Sequence, residues 1–259
     1  MKVLIAVPTY KRPYVLKKRV LYWLNEITEA DVKVFCCKSE QIYYEQVCGG
    51  MTEVGATQSG SDGLIKQLMF IQKYAVDNGY DIVWKVDDKM RFKKQGVKMH
   101  DSSTYINKLI KTVKQRFKKN KDLDLVTVCK PLDYRYSKEK TGFKKRNTVC
   151  AGNYFVRSKR MMFNKNVFAL DELQLYLHLT STGTKTMETC FDMYMDNPMG
   201  QFQGGLQFFD RLKLSQETYK YLVKQYPLLK LKENDNAKQS IDIGNLIDYS
   251  AYKKMMLQT

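Results

Sequence analysis

The sequence predicts an α/β fold, a single Rossmann-like domain with a mixed, mostly parallel sheet flanked by helices. Three observations predict it. Apolar runs of strand length alternate with stretches of helical periodicity over the first 88 residues, in the order strand, helix, strand, helix, strand that right-handed crossovers produce. At 259 residues and 44% hydrophobic, the chain has enough apolar surface for one large core. No internal repeat and no low-complexity linker divides it.

KVLIAV, from Lys2 to Val7, is a buried strand by its length and by the Pro8-Thr9 pair that ends it. After Pro13 the apolar positions Val15, Leu16, Val20, Leu24 and Ile27 recur at helical spacing. VKVFCC, from Val32 to Cys37, is the second strand, and Leu64, Leu68, Ile71 and Ala75 mark a helix that stops near Gly79. Asp81 to Val86 is the third strand. Beyond it, Ile106, Ile110, Val113 and Phe117 form the apolar stripe of an amphipathic helix whose other positions include Lys108, Lys111, Lys114 and Lys118; Asp101 to Ser103 can cap its start. LDLVTVC, from Leu123, is a further strand, and Lys138 to Asn147 is a polar loop or hairpin tip. Leu170 to Leu179 and Ser215 to Gln225 read as helices, with a glycine-bearing loop from Gln201 to Gln207.

The formal net charge of +17 is unevenly placed. Between Lys85 and Arg160 stand 23 Lys or Arg against 7 Asp or Glu, leaving 21 against 20 for the rest. Charge so concentrated is either a surface for a polyanion or a solvated lysine-rich face. The opening apolar run is too short for a signal-peptide core or a membrane span, so a soluble cytoplasmic protein without membrane contact is expected. Cys36, Cys37, Cys48, Cys129, Cys150 and Cys190 form no CxxC pair, and His100 and His178 supply no zinc-ligand spacing. The thiols read as small core residues.

Sheets of this class bind ligands beyond the carboxyl ends of their strands, which places the PTYKRP loop, Pro8 to Pro13, and the Asp87-Asp88 pair on one rim. No GxGxxG follows the first strand and no GxxxxGK[ST] occurs, so the usual phosphate cradles are missing. Adjacent carboxylates at a strand end offer hard oxygen ligands to Mg²⁺ or Mn²⁺. The alternative is that they cap a turn or pair with Lys85, Lys89 and Arg91.

VPTYKRP, followed by helix and strand and then by the strand-borne VDD, resembles the nucleotide-sugar domain of GT-A fold glycosyltransferases, the family 2 group in particular. The resemblance implies a single GT-A domain over residues 1–259, its nucleotide-sugar half at 1–100 and its acceptor half at 101–259. It implies a metal-dependent enzyme in which Asp87 and Asp88 hold Mn²⁺ or Mg²⁺. The donor would be a nucleotide-sugar, a UDP-sugar first, lying against Pro8, Thr9, Tyr10, Arg12 and Lys66. Where the common motif reads DxDD, this chain has Lys85 at the first acidic position. NTVCAGNYFVRS, from Asn147, is similar to the small-residue floor of the acceptor site and implies roles for Gly152 and Asn153. LDELQLYLHLTSTGTK, from Leu170, resembles the acidic-pair helix of that family and offers Asp171 and Glu172 as general base, with Asp192 and Asp196 as fallbacks.

The chain also resembles the phage enzymes that glycosylate 5-hydroxymethylcytosine in DNA, which implies a DNA partner and, for a phage product, the host cytoplasm. Arg91, Lys93, Lys94, Lys144, Lys145 and Arg146 are then the expected phosphate contacts. Gly204 and Gly205 of QFQGGLQFF would let the backbone approach the acceptor. Phe92, Tyr134, Tyr136, Phe143 and Tyr154 either stack on bases or belong to the core. A glycan acceptor and a noncatalytic DNA-binding module are the competing readings.

Overall fold

VLIAVP becomes β1 (Val3–Pro8), buried along its whole length and paired in parallel with β2 (Asp31–Cys36) on one side and β4 (Ile82–Lys85) on the other. This is the computed structural model, which describes residues 1–55, 63–93, 102–129, 141–145, 152–166, 170–196, 211–231 and 247–258. The remaining strands of the sheet are β3 (Thr52–Val54), β5 (Arg91–Lys93), β6 (Leu123–Cys129), β7 (Phe143–Lys145), β8 (Tyr154–Arg157) and β9 (Thr186–Asp196). Their order is β3-β2-β1-β4-β8-β6-β9-β5, with β7 also paired to β9. Six strands, β1 to β4 with β6 and β9, run one way, while β5, β7 and β8 run the other. The expected mixed, mostly parallel α/β sheet is what forms.

Strand alternation divides the core between the two faces. Val3, Ile5 and Val7 pack with Leu16, Val20 and Trp23, and with Ile106, Ile110, Val113 and Phe117 of the Ser102–Lys119 helix. Leu4 and Ala6 pack on the other face with Ile65, Leu68, Ile71 and Ala75 of the Leu64–Asp77 helix, and with Leu175 and Leu179 of the Asp171–Ser181 helix. Phe117→Ala is expected to cost about 3–5 kcal/mol through transfer and cavity terms. The check is a lower urea midpoint at an unchanged slope.

The helix expected after Pro13 begins as Pro13–Leu16, widens into a π segment at Lys17–Leu21 and closes as Tyr22–Leu24. That π turn carries Arg19, whose Nε donates to the Lys89 carbonyl at 2.7 Å and so ties down the turn after the acidic pair. β9 was not legible as a strand: lying inside the sheet, it buries both of its faces at Met187 to Cys190 and shows no apolar–polar alternation. Cys36, Cys37, Cys48, Cys129 and Cys190 are free and buried, as expected of core thiols, and Cys150 lies outside the described residues. No helix among the described residues is long and apolar enough to cross a membrane.

Candidate functional site

The parallel pairing of β1 continues one residue past the strand, where the Thr9 N–H donates to the Phe35 carbonyl at 3.0 Å. The loop then turns sharply through Lys11, which takes a left-handed φ of 55°. A non-glycine residue there is strained and needs surrounding contacts to hold it. They come from Glu40, whose two oxygens accept the Lys11 N–H at 3.0 and 3.1 Å. Burial pushes the Glu40 carboxyl up, against the pull of that N–H.

Behind the loop stands Tyr44, on the Gln41–Cys48 helix and fully buried. Its hydroxyl accepts the Arg12 N–H at 2.9 Å and lies 2.8 Å from Thr9 Oγ1. Thr9 Oγ1 in turn donates to Asp88 Oδ2 at 2.8 Å, while Arg12 Nη1 reaches Asp88 Oδ1 at 3.1 Å. The network closes on itself, from the Arg12 backbone through Tyr44, Thr9 and Asp88 back to the Arg12 guanidinium. Desolvation raises the Asp88 pKa, and the Arg12 charge and the Thr9 hydroxyl only partly offset it. Asp88→Ala leaves the Arg12 charge buried without its partner and is expected to cost about 3–5 kcal/mol in thermal or urea unfolding. Asp88→Asn, which keeps the Thr9 bond, is expected to cost less.

Asp87 turns the other way. Its Oδ1 lies 2.7 Å from Lys85 Nζ, and its carbonyl accepts the Met90 N–H at 3.0 Å to close the turn. The acidic pair expected to hold one metal is therefore divided between two protein cations, Asp87 with Lys85 and Asp88 with Arg12. Each Asp88 oxygen is engaged inside the protein, one by Thr9 and one by Arg12, and among the described residues no three His, Cys, Asp or Glu side chains are arranged to hold an ion. As these side chains stand, Asp87 and Asp88 do not share a site that fits Mn²⁺ or Mg²⁺.

Lys85 is the centre of the second group. It is the last residue of β4 and 1% exposed, and its Nζ lies 5.8 Å from the ring centroid of Tyr154, which stands opposite it on β8. Its Nζ meets Asp87, the Gly152 carbonyl at 3.2 Å, and Asp171 Oδ2 at 3.3 Å. Burial works against the Lys85 charge, but Asp171, Asp87 and Glu172 more than reverse it and hold the ammonium well above the usual lysine range. β8 runs antiparallel to β4 with Tyr154 opposite Lys85, so it starts at the rim where β4 ends and brings Gly152 to the ammonium. Gly152, at φ 60°, also donates its N–H to Glu172 Oε1 at 2.9 Å. Leu170, left-handed at φ 61°, aims the start of the next helix so that Asp171 and Glu172 both reach this group. Lys11 and Leu170 are the left-handed non-glycine residues among those described, and both adjoin the site.

Asp171 is buried, and its Oδ2 accepts no hydrogen bond from the described residues although it faces Lys85. Glu172 is partly exposed. Desolvation, then the Asp171 charge, push the Glu172 carboxyl up to about 8, with Lys85 pulling the other way. The group thus pairs an inner carboxylate with an outer one that holds its proton near neutrality.

Other expected residues serve the fold. Asp192, expected as a fallback base, accepts the Gly142 N–H at 2.7 Å and fixes the turn before β7. Asp196 ends β9 opposite Arg91. Asn153 lies buried with its amide on Val128, accepting its N–H at 3.3 Å, and so joins β6 to the start of β8. Arg91 donates to the Lys18 carbonyl at 3.3 Å and lies over the Tyr22 ring. Phe92 and Tyr154 are core residues, and Arg116 covers Phe143. Tyr10 is partly buried, Lys93 is partly buried on β5, and Lys66, Lys144 and Lys145 are exposed. Lys94, Arg146, Gly204, Gly205, Tyr134 and Tyr136 lie outside the described residues. Tyr44 and Glu40 were not anticipated; for Tyr44 the tyrosine-rich QIYYEQVC stretch after the second strand was the sequence trace, and Glu40 directly precedes it.

Much of the basic third is also turned inward. Arg116 pairs with Glu188 at 2.5 Å, Lys114 with Glu29 at 3.1 Å, and Arg157 and Arg160 with Asp124 at 3.5 and 3.2 Å. Glu29 precedes β2 and Glu188 lies near the start of β9, so the basic helix is anchored toward the rim opposite Asp87. Lys108, Lys111, Lys118 and Lys119 remain exposed along it.

No family model and no curated protein matches the chain. Among solved structures, it is similar to CMP:2-keto-3-deoxy-manno-octonic acid synthetase complexed with CTP, at 13% identity and a TM-score of 0.42, over 73% of this chain and 89% of that one. It is also similar to A197 from STIV, at 9% identity and a TM-score of 0.41, over 79% of this chain and 89% of that one. Neither likeness is close enough to carry a substrate or an activity to this chain.

Proposed function

We propose that the chain is a glycosyltransferase that moves a sugar from a nucleotide-sugar, a UDP-sugar first among them, to a hydroxymethylated pyrimidine base in DNA. The observation that carries this reading is the convergence of Asp87, Asp171, Glu172 and Gly152 on Lys85 at the carboxyl rim. The PTYKRP loop ends the neighbouring strand on that same rim, which is where such sheets take ligands. Glu172 is the base. It takes the proton of the acceptor hydroxyl as that oxygen attacks the anomeric carbon; the bond from this carbon to the diphosphate oxygen breaks, and its electron pair leaves with the nucleoside diphosphate. Asp171 raises the proton affinity of Glu172, and Gly152 holds one Glu172 oxygen in place.

The DNA part of the reading is supported by the exposed lysines of β7 and of the Ser102–Lys119 helix. Lys144→Ala with Lys145→Ala is expected to flatten the salt dependence of DNA binding by about one unit per lost phosphate contact. An unchanged slope returns these lysines to a solvated face. A glycan acceptor is the second reading, favoured by the number of basic side chains already neutralised internally. The deciding experiment is mass spectrometry of hydroxymethylated and unmodified DNA, and of oligosaccharides, after incubation with candidate nucleotide-sugars. Added hexose or pentose mass on hydroxymethylated DNA alone is the expected result; mass on the saccharides alone selects the glycan, and none on any acceptor sinks both.

A further inference from the structure

We infer that the Lys85 ammonium is the resident cation of the Asp87, Asp171 and Glu172 group, and that it excludes a divalent metal from this site. The inference deepens the proposed function and rests on the same group of residues. A divalent ion would need the oxygens that Lys85 already uses. Nζ lies 2.7 Å from Asp87 Oδ1, 3.2 Å from the Gly152 carbonyl and 3.3 Å from Asp171 Oδ2. Mg²⁺ takes its oxygens at about 2.0–2.1 Å, so binding it would require drawing the same ligands inward around a point that a positive charge already holds. Lys85 has little room to retreat: it is 1% exposed, and on its own face of the sheet the Tyr154 ring lies 5.8 Å from Nζ.

The remaining acid of the rim cannot substitute. Asp88 spends one oxygen on Thr9 and the other on Arg12. Two monovalent side-chain cations, Lys85 and Arg12, thus stand one to each carboxylate of the adjacent pair.

The test is Mn²⁺ binding to the full chain, followed by the electron paramagnetic resonance signal of the free ion, with melting temperature read in parallel. Wild type is expected to leave the signal and its melting temperature unchanged. Lys85→Ala is expected to take up one Mn²⁺ per chain and to melt higher with Mn²⁺ than without it. Mn²⁺ taken up by wild type and released by Asp87→Asn overturns the inference, as does a folded Lys85→Ala chain that binds none. If Lys85→Ala does not fold, the comparison of wild type with Asp87→Asn decides alone. Because the readout is the metal, a chain that transfers no sugar yet refuses Mn²⁺ retires the proposed function and leaves this inference standing.

Discussion

Glu172→Gln is expected to lower the rate of the proposed sugar transfer by about 10²-fold or more, the usual loss when a positioned base is removed. Glutamine keeps the oxygen that accepts the Gly152 N–H, so the fold and the donor KM stay near wild type. The pH profile supplies the stricter check. A base works only when deprotonated, and Glu172 gives up its proton at about 8, so the wild-type rate rises with pH through that value and the variant lacks the rise. Asp171→Asn removes the second-largest cause of the raised value, after desolvation, and shifts the rise to lower pH. The same linkage appears in stability. Unfolded glutamate releases its proton in the ordinary carboxylate range while the folded chain retains it up to about 8, so wild-type stability falls as pH climbs between those limits. Glu172→Gln removes that slope, and its melting temperature gains on wild type at the alkaline end. Equal slopes in the two proteins sink the assignment.

Lys85→Met is expected to cost about 3–5 kcal/mol, for the loss of one partner from a buried ion group. A domain holds only about 5–15 kcal/mol in all. Methionine fills the aliphatic space but leaves Asp87, Asp171 and Glu172 facing one another without the ammonium. The deficit is expected to shrink toward acid pH, where those carboxylates take up protons, and urea unfolding at several pH values measures it. A deficit independent of pH would mean that Lys85 acts by packing alone.

The sheet was legible because its first strands are short apolar runs separated by helical stripes, and VLIAVP and IVWK carry that signal without interference. β9 escaped because a strand buried on both faces loses its alternation, and β3, β5 and β7 because three-residue strands carry too little pattern. At the site, local motifs singled out Asp171, Glu172 and Gly152, and the fold brings the three together around Lys85. The partition of Asp87 from Asp88 was not legible, since two adjacent carboxylates look alike in sequence, and what separates them is a tyrosine 44 positions upstream of Asp88 and a lysine two positions before Asp87. Lys85 stood out as a departure from an acidic motif, and the ion group explains it: a charge that reads as a missing ligand is the counter-ion of the whole group.

The placement of β8 between β4 and β6 has a consequence for how the chain can be cut. Its residues come from the second half of the sequence, yet they hydrogen-bond to β4 of the first, and β5 is paired in turn to the distant β9. The two halves are therefore woven together, and neither owns a finished sheet edge at the point where they meet. Separately expressed fragments divided between β5 and the Ser102–Lys119 helix would each present an open strand to the other. Mixed together, they should recombine into a working whole, as a zipper closes only when both rows of teeth are present.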